Sequence, residues 1–578
     1  MKSVETKYIK FRITIVGFIF TAILAAIGAK AGYLQIYRSS WLSQKASAQY
    51  ERPLKEFGNR GTIYDANLRE MAVSINTTSI SAYPHKIADI PGTARKLSNS
   101  LNIDYGTLQK RLLAKKPFIW VKRQATPREV NAVKSLNLEG IGFLSETSRF
   151  YPQKTLAAQT IGFTGLDGKG LEGIEFYYDS HLKGANFEYV ILKDALGQGF
   201  DSEKAKEDYS GKNIVLTIDQ TIQYITEKAL KEAVDENSAK AGIAVVMSPK
   251  TGAILSIAQY PSLNPNSYDK FDRNLWRNRA ITDPFEPGST MKIFSAAAAL
   301  EYGNSTENTT FFCENGQFRI GKHIIHDTHS YGWLTLREVV KLSSNIGAYK
   351  VVSKTGPEYL YKTLKDFGFG EKTGINCPGE TSGTVIPYKN WRQIDVGTIS
   401  FGQSISASPL QIISAVSAIA NDGLLMKPYI VHSISDQKGL VVERFEPVPV
   451  RQAISPASAI KLKDILTSVT DKDGTGFNAA LEGYKVCGKT GTAQKTDESG
   501  RYAKGRYISS FVGFVPAENP EVAILVMVDE PTRNHYGGIV SAPAFKKIAQ
   551  ETLTYMNVQP KNREAGKLRV SREGRVLG

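Results

Sequence analysis

Three cysteines, Cys313, Cys377 and Cys487, are too few to make a disulfide framework for 578 residues. One pairing, Cys313–Cys377, stays open in an oxidising compartment. Cys487 reads as a small buried residue rather than a nucleophile. Histidine is also scarce. His323, His326 and His329 are spaced like metal ligands, but Asp327, Thr328, Ser330 and Gly332 interrupt any helix that would align them. No metal site is expected there. Acidic residues are outnumbered, and the net charge is +16. The excess is spread along the chain without a nucleic-acid motif, so no nucleic acid is expected as a partner. A basic exterior facing anionic surfaces accounts for it.

Long apolar runs are nearly absent. The one exception, Ile13 to Ala29, carries no charge. It is close to the short limit for crossing a bilayer. Lys2, Lys7, Lys10 and Arg12 precede it, so residues 1–12 are expected in the cytoplasm and 13–36 in the membrane. Everything beyond is then expected outside the inner membrane. Ala29-Lys30-Ala31 superficially fits a cleavage site. Against cleavage, the run is long for a signal core and Gly32 to Ile36 continues a helical pattern. After about Pro560 the chain is basic and poor in apolar residues, and a disordered tail (559–578) is expected.

Three short motifs follow one another in the remainder. Ser289-Thr290-Met291-Lys292 comes first, then Ser343-Ser344-Asn345, then Lys489-Thr490-Gly491-Thr492. Each is common by chance; together and in this order they describe one machine. Pro287-Gly288-Ser289 before the Ala-rich run Ile293 to Leu300 reads as a loop entering a helix. Residues three apart share a helix face, so Lys292 can reach Ser289. A lysine serves as base only if burial or a neighbouring cation lowers its pKa, and Lys489 is a candidate for that cation. Ser343 can pass a proton onward. Asn345 can donate to a substrate carbonyl and accept from a lysine. Val486 to Ala493 reads as a strand whose edge would bind an extended peptide, with Lys489, Thr490 and Thr492 suited to a terminal carboxylate. Gly483 to Thr490 also spells the phosphate-loop pattern. That pattern needs a strand before it and a helix after it, and neither fits here.

These motifs resemble those of class B penicillin-binding proteins, the peptidoglycan D,D-transpeptidases. The resemblance extends to Arg60-Gly61-Thr62-Ile63-Tyr64-Asp65, to Arg149 with Tyr151-Pro152, and to Ile161 through Glu175. It continues through Arg277-Asn278-Arg279-Ala280, Phe285-Glu286-Pro287-Gly288, and Tyr536-Gly537-Gly538 through Pro543. The short anchor with Tyr33-Leu34-Gln35 and the compact amino-terminal region point to the division-specific (FtsI-like) subtype; elongation- and spore-type enzymes are the alternatives. The resemblance implies an α+β fold, with a five-stranded antiparallel sheet between helices in a transpeptidase domain (211–558). A membrane-anchored pedestal of the dimerisation type (37–210) would carry it.

It also implies a substrate and a mechanism. Ser289 would attack a stem peptide ending in D-Ala-D-Ala, with Lys292 as base, Ser343 as relay, and Asn345 and Lys489 in the site. Thr490, Gly491 and Thr492 would bind the substrate, and the backbone N–H groups of Ser289 and Thr492 would hold the oxyanion. An amine of a neighbouring stem peptide would accept the acyl group, and β-lactams would acylate the same serine. No cofactor is implied. Glycan polymerisation would come from a SEDS-type glycosyltransferase among other division membrane proteins, because no acidic glycosyltransferase motif lies between anchor and Ser289. A class A β-lactamase is excluded by length and by Ser-Ser-Asn in place of Ser-Asp-Asn. A non-catalytic scaffold or sensor would not need Lys292, and twelve residues before the anchor hold no signalling domain.

The periodicity adds some elements. A strand is expected within Gly211 to Asp219, a helix over Thr221 to Val234, and a hairpin from Ala244–Met247 and Ala253–Ala258. Further strands are expected at Tyr507–Val515 and Val522–Val528, with a closing helix over Ala542–Met556.

Overall fold

The computed structural model describes residues 2–192, 209–497 and 501–560. The expected tail from 561 onward lies outside the described residues. Two compact units are present: one of Met1–Asn59 with Gly184–Ser210, the other of Arg60–Lys183 with Gly211–Gly578. The first holds α1 (Lys2–Gly32), extended by a wider turn through Tyr37. Thr6–Tyr37 is long and apolar enough to cross a membrane, and its apolar side chains are bare. In the same unit Glu51–Phe57 pairs antiparallel with Asn186–Leu192.

The second unit contains a five-stranded antiparallel sheet. Its strands are β1 (Ala241–Met247), β2 (Ile254–Tyr260), β3 (Cys487–Thr496), β4 (Tyr502–Val515) and β5 (Val522–Asp529), in the spatial order β3-β4-β5-β1-β2. The central β5 is buried throughout, so its alternating side chains feed two layers. Ile524, Val526 and Val528 pack against helices α2 (Gln220–Glu236) and α6 (Ala542–Tyr555). Leu525 and Met527 belong to the larger core with α3 (Lys292–Glu301) and α5 (Pro409–Ala420).

Local chemistry starts these helices. Asp219 accepts from the N–H groups of Thr221 and Ile222 to open α2. Ser408 and Gln411 form a capping box with Pro409 at the first turn of α5. The expected helices and the β1–β2 hairpin are present to within a few residues at their ends. Tyr502–Val515 is five residues longer at its start than expected.

A second, seven-stranded sheet runs Val441–Arg444, Val431–Ser435, Asn213–Leu216, Ile63–Tyr64, Glu70–Ala82, Ile119–Ala125, with Ile141–Phe150 also paired to Glu70–Ala82. The expected strand after Gly211 is therefore Asn213–Leu216, and its sheet takes strands from both sides of residue 210. Three separate sequence motifs meet beside this sheet. Glu175, fully buried, receives Arg60 Nε and Arg149 Nε, each at 2.6 Å. Arg60 also reaches Asp179 at 2.6 Å, and Arg149 donates to Gly61 O at 2.8 Å.

Candidate active site

The turn that carries Ser289 is tight. Gly288–Met291 forms one 3-10 turn, and α3 begins at Lys292. Residues three apart eclipse in such a turn, and Lys292 Nζ lies 3.0 Å from Ser289 Oγ. Gly288 has φ +58°, and a Cβ there would sit 3.0 Å from Thr492 O. Glycine thus lets the nucleophile turn press directly on β3.

Lys292 is 1% exposed. Besides Ser289 it meets Ser343 O at 2.5 Å, Ser343 Oγ at 3.0 Å and Asn345 Oδ1 at 2.8 Å. Two of these partners, the Ser343 carbonyl and the Asn345 amide oxygen, can only accept. A neutral amine has two N–H groups to give them and one lone pair left, facing hydroxyls. Burial pushes the Lys292 pKa down to about 7, against the pull of the Asp327 carboxylate. The arrangement can therefore take a proton from Ser289 near neutral pH.

The Ser343 carbonyl reaches Lys292 because Ser343 adopts φ +60°. Ser344 then caps α4 (Asn345–Thr355) by accepting from Gly347 N at 2.8 Å. Asn345 Nδ2 donates to His326 O at 2.8 Å, so the amide expected to face a substrate carbonyl is held by the backbone.

Lys489 lies on β3, the outer strand of the sheet, and is fully buried. Its amine donates to Thr490 O and Oγ1, both at 3.2 Å. Burial, then repulsion from Lys292, holds its pKa well below the usual range. Of the two causes the sequence leaves open for Lys292, burial or a neighbouring cation, burial is the one that depresses it. Thr490 Oγ1 donates to Thr475 Oγ1 at 3.2 Å, and Thr492 Oγ1 accepts from Gly537 N at 3.3 Å. Gly491 stands against the nucleophile turn: a Cβ there would fall on Ser510 Oγ and lie 3.0 Å from Thr290 Cγ2. Ser289, Lys292, Ser343 and Asn345 thus share one hydrogen-bonded cluster, with the strand of Lys489, Thr490, Gly491 and Thr492 beside it.

Other sequence features take plain positions. The phosphate-loop spelling ends inside β3, with no helix after it. Cys313, Cys377 and Cys487 are free and buried, so the Cys313–Cys377 pairing does not form. Burial pushes the Cys377 thiol up to about 12 and Cys487 further. Among the described residues, no three His, Cys, Asp or Glu side chains gather as a metal site.

Sequence reasoning did not anticipate Asp327 at the start of α4. Nor did it anticipate Glu286, whose carboxylate accepts from Ser404 N at 2.9 Å and Tyr502 Oη at 3.1 Å. Their partners are backbone groups and residues distant in sequence.

Residues 242–550 match the penicillin binding protein transpeptidase domain, and residues 55–216 match the penicillin-binding protein dimerisation domain. The chain belongs to the penicillin-binding protein transpeptidase family. It is 35% identical to the probable peptidoglycan D,D-transpeptidase PenA of Neisseria meningitidis, over 95% of this chain and 93% of that protein. It is 33% identical to the peptidoglycan D,D-transpeptidase FtsI of Escherichia coli K12, over 93% and 90%. The crystal structure of penicillin-binding protein 3 from Mycobacterium tuberculosis, complexed with aztreonam, superposes with a TM-score of 0.68 at 27% identity, covering 88% of this chain and 99% of that one.

Proposed function

We propose that this protein is a membrane-anchored peptidoglycan D,D-transpeptidase that cross-links stem peptides through a serine acyl-enzyme, in septal wall synthesis, and that β-lactams inhibit it. The observation that carries the reading is the buried Lys292 amine, with its lone pair free for the Ser289 hydroxyl 3.0 Å away. In this reading the D-Ala-D-Ala terminus lies along the β3 edge, its carboxylate toward Lys489, Thr490 and Thr492. Lys292 takes the proton from Ser289, which attacks the penultimate carbonyl. The backbone N–H groups of Ser289 and Thr492 hold the oxyanion, each contributing about 3 kcal/mol to lowering the barrier. The Lys292 ammonium returns its proton through the Ser343 hydroxyl, 3.0 Å away, to the departing D-alanine. A side-chain amine of a second stem peptide then takes the acyl group.

The likeness to FtsI supports the division role, and the apolar amino-terminal helix supports a single-pass anchor. We further propose that residues before that helix stay in the cytoplasm, that catalysis occurs outside the inner membrane, and that a SEDS-type glycosyltransferase supplies the glycan strands. Fluorescent penicillin labelling tests the core of the reading. Wild type should label and Ser289→Ala should not; a labelled Ser289→Ala protein would remove Ser289 as the nucleophile.

A further inference from the structure

Between the stretch 279–286 and the five-stranded sheet lies a cavity of about 190 Å³. Ile243 on β1, Met527 on β5, Ala493 on β3 and Phe285 give it an apolar lining. It adjoins the nucleophile turn. Phe285 and Glu286 line it just ahead of Ser289 in the chain, and the Ala493 Cβ lies 3.2 Å from where a Gly288 Cβ would stand.

The charged groups of the lining are unequal. Arg279 meets Asp283 at 3.0 Å and Asp529 at 2.9 Å. Lys495 meets Asp529 at 2.7 Å and Glu530 at 2.6 Å. Glu286 stands apart from this network. Its carboxylate accepts from neutral donors, Ser404 N at 2.9 Å and Tyr502 Oη at 3.1 Å, and among the described residues no cation pairs with it. It is half-buried, and loss of hydration pushes its pKa up. A cation brought against such a carboxylate favours its ionised form.

The second half of the reaction brings that cation. A side-chain amine has an ordinary pKa of about 10, so the acceptor arrives as an ammonium at the end of a run of methylenes. The β3 edge holds the donor and offers this group no counter-charge. We propose that Glu286 and the apolar lining beside it form the acceptor site: the carboxylate pairs with the ammonium of the second stem peptide, and the methylenes lie against Phe285. The inference rests on the transpeptidase reading and gives its second substrate a place. One proton of the ammonium passes to Glu286, which later releases it to water. The neutral nitrogen bonds to the acyl carbon. Its surplus proton goes to Lys292, which returns it to Ser289 Oγ as the ester C–O bond breaks.

The test uses the full chain in detergent, with a D-alanyl thioester as donor and melting curves alongside. The acyl-enzyme partitions between water and an added amine, so the ratio of transfer to hydrolysis reads the acceptor site whatever the rate of acylation. The amines are a stem tripeptide carrying lysine, one carrying diaminopimelate, and hydroxylamine, which is uncharged at neutral pH. Glu286→Gln can keep the contacts without the charge, its Oε1 accepting from Ser404 N and its amide donating to Tyr502 Oη. The preference for the tripeptide that wild type uses, over hydroxylamine, should fall about tenfold or more, as for a lost hydrogen bond to a charged group. Glu286→Asp should recover part of it. An unchanged preference in the Gln variant would overturn the site. So would an equal loss for both amines, which would make Glu286 a brace of the nucleophile turn. If the Gln variant fails to fold, salt decides on wild type: the tripeptide preference should weaken at about 1 M salt, and a preference indifferent to salt would overturn the pairing. A wild-type acyl-enzyme that passes to neither tripeptide would also overturn the site. Failure of wild type to label with penicillin at Ser289 would instead sink the transpeptidase reading.

Discussion

At the scale of single residues, the site turns on how one amine distributes its hydrogens. Two fixed acceptors, the Ser343 carbonyl and the Asn345 amide oxygen, orient Lys292 Nζ, so its lone pair is aimed rather than free to rotate. With its pKa brought down to about 7, Lys292 is protonated below that point and can no longer act as base. Acylation by penicillin should therefore fall about tenfold per unit as pH drops below about 7 and flatten above it; a flat profile through that range would exclude Lys292 as the base. Replacing Asn345 with Ala removes one acceptor and should lower acylation by about tenfold to a hundredfold, read from the same labelling rates, with Ser289 still the labelled residue.

At the scale of elements, β3 and the nucleophile turn work as one because nothing larger than hydrogen fits between them. Gly491→Ala would drive a methyl group into Ser510 Oγ and against Thr290 Cγ2. Ser510 must then turn aside and the strand shift against the nucleophile turn. Overpacking of this kind costs about 1–3 kcal/mol in stability, and acylation should fall by more than tenfold because misplaced groups lose catalytic geometry steeply. Denaturant melts and labelling of the same sample separate the two effects.

Much of this level was legible in the sequence. The Ser289–Lys292 contact follows from a three-residue spacing, and the β1–β2 hairpin from its turn residues between alternating runs. The meeting of Ser343 and Lys489 with them was legible only as three ordered motifs, since nothing in local periodicity joins positions some 200 residues apart. Asp327 was not legible, because its partners are mainly backbone N–H groups, which carry no sequence signal. The Arg60, Arg149 and Glu175 motifs were each visible, but their union in one buried ion cluster was not.

At the scale of the whole molecule, that cluster ties three stretches of the amino-terminal half together. Glu175→Ala would strip buried Arg149 of its counter-charge and leave Arg60 with Asp179 alone, which should cost about 3–5 kcal/mol of stability. Urea unfolding followed by circular dichroism checks it, and a loss under about 1 kcal/mol would mean that water or Asp179 takes over. Orientation has a separate check. Protease added outside spheroplasts should remove the catalytic unit and spare only a short amino-terminal stub. Full protection would reverse the topology.

The seven-stranded sheet also imposes an order on biogenesis. Asn213–Leu216 lies between Ile63–Tyr64 on one side and Val431–Ser435 on the other. A nascent chain that has emerged only as far as Leu216 holds that strand with one flank bare. It must wait for more than two hundred further residues before its neighbour arrives, so a stalled or truncated product presents an open edge to any passing strand, its own or another chain's.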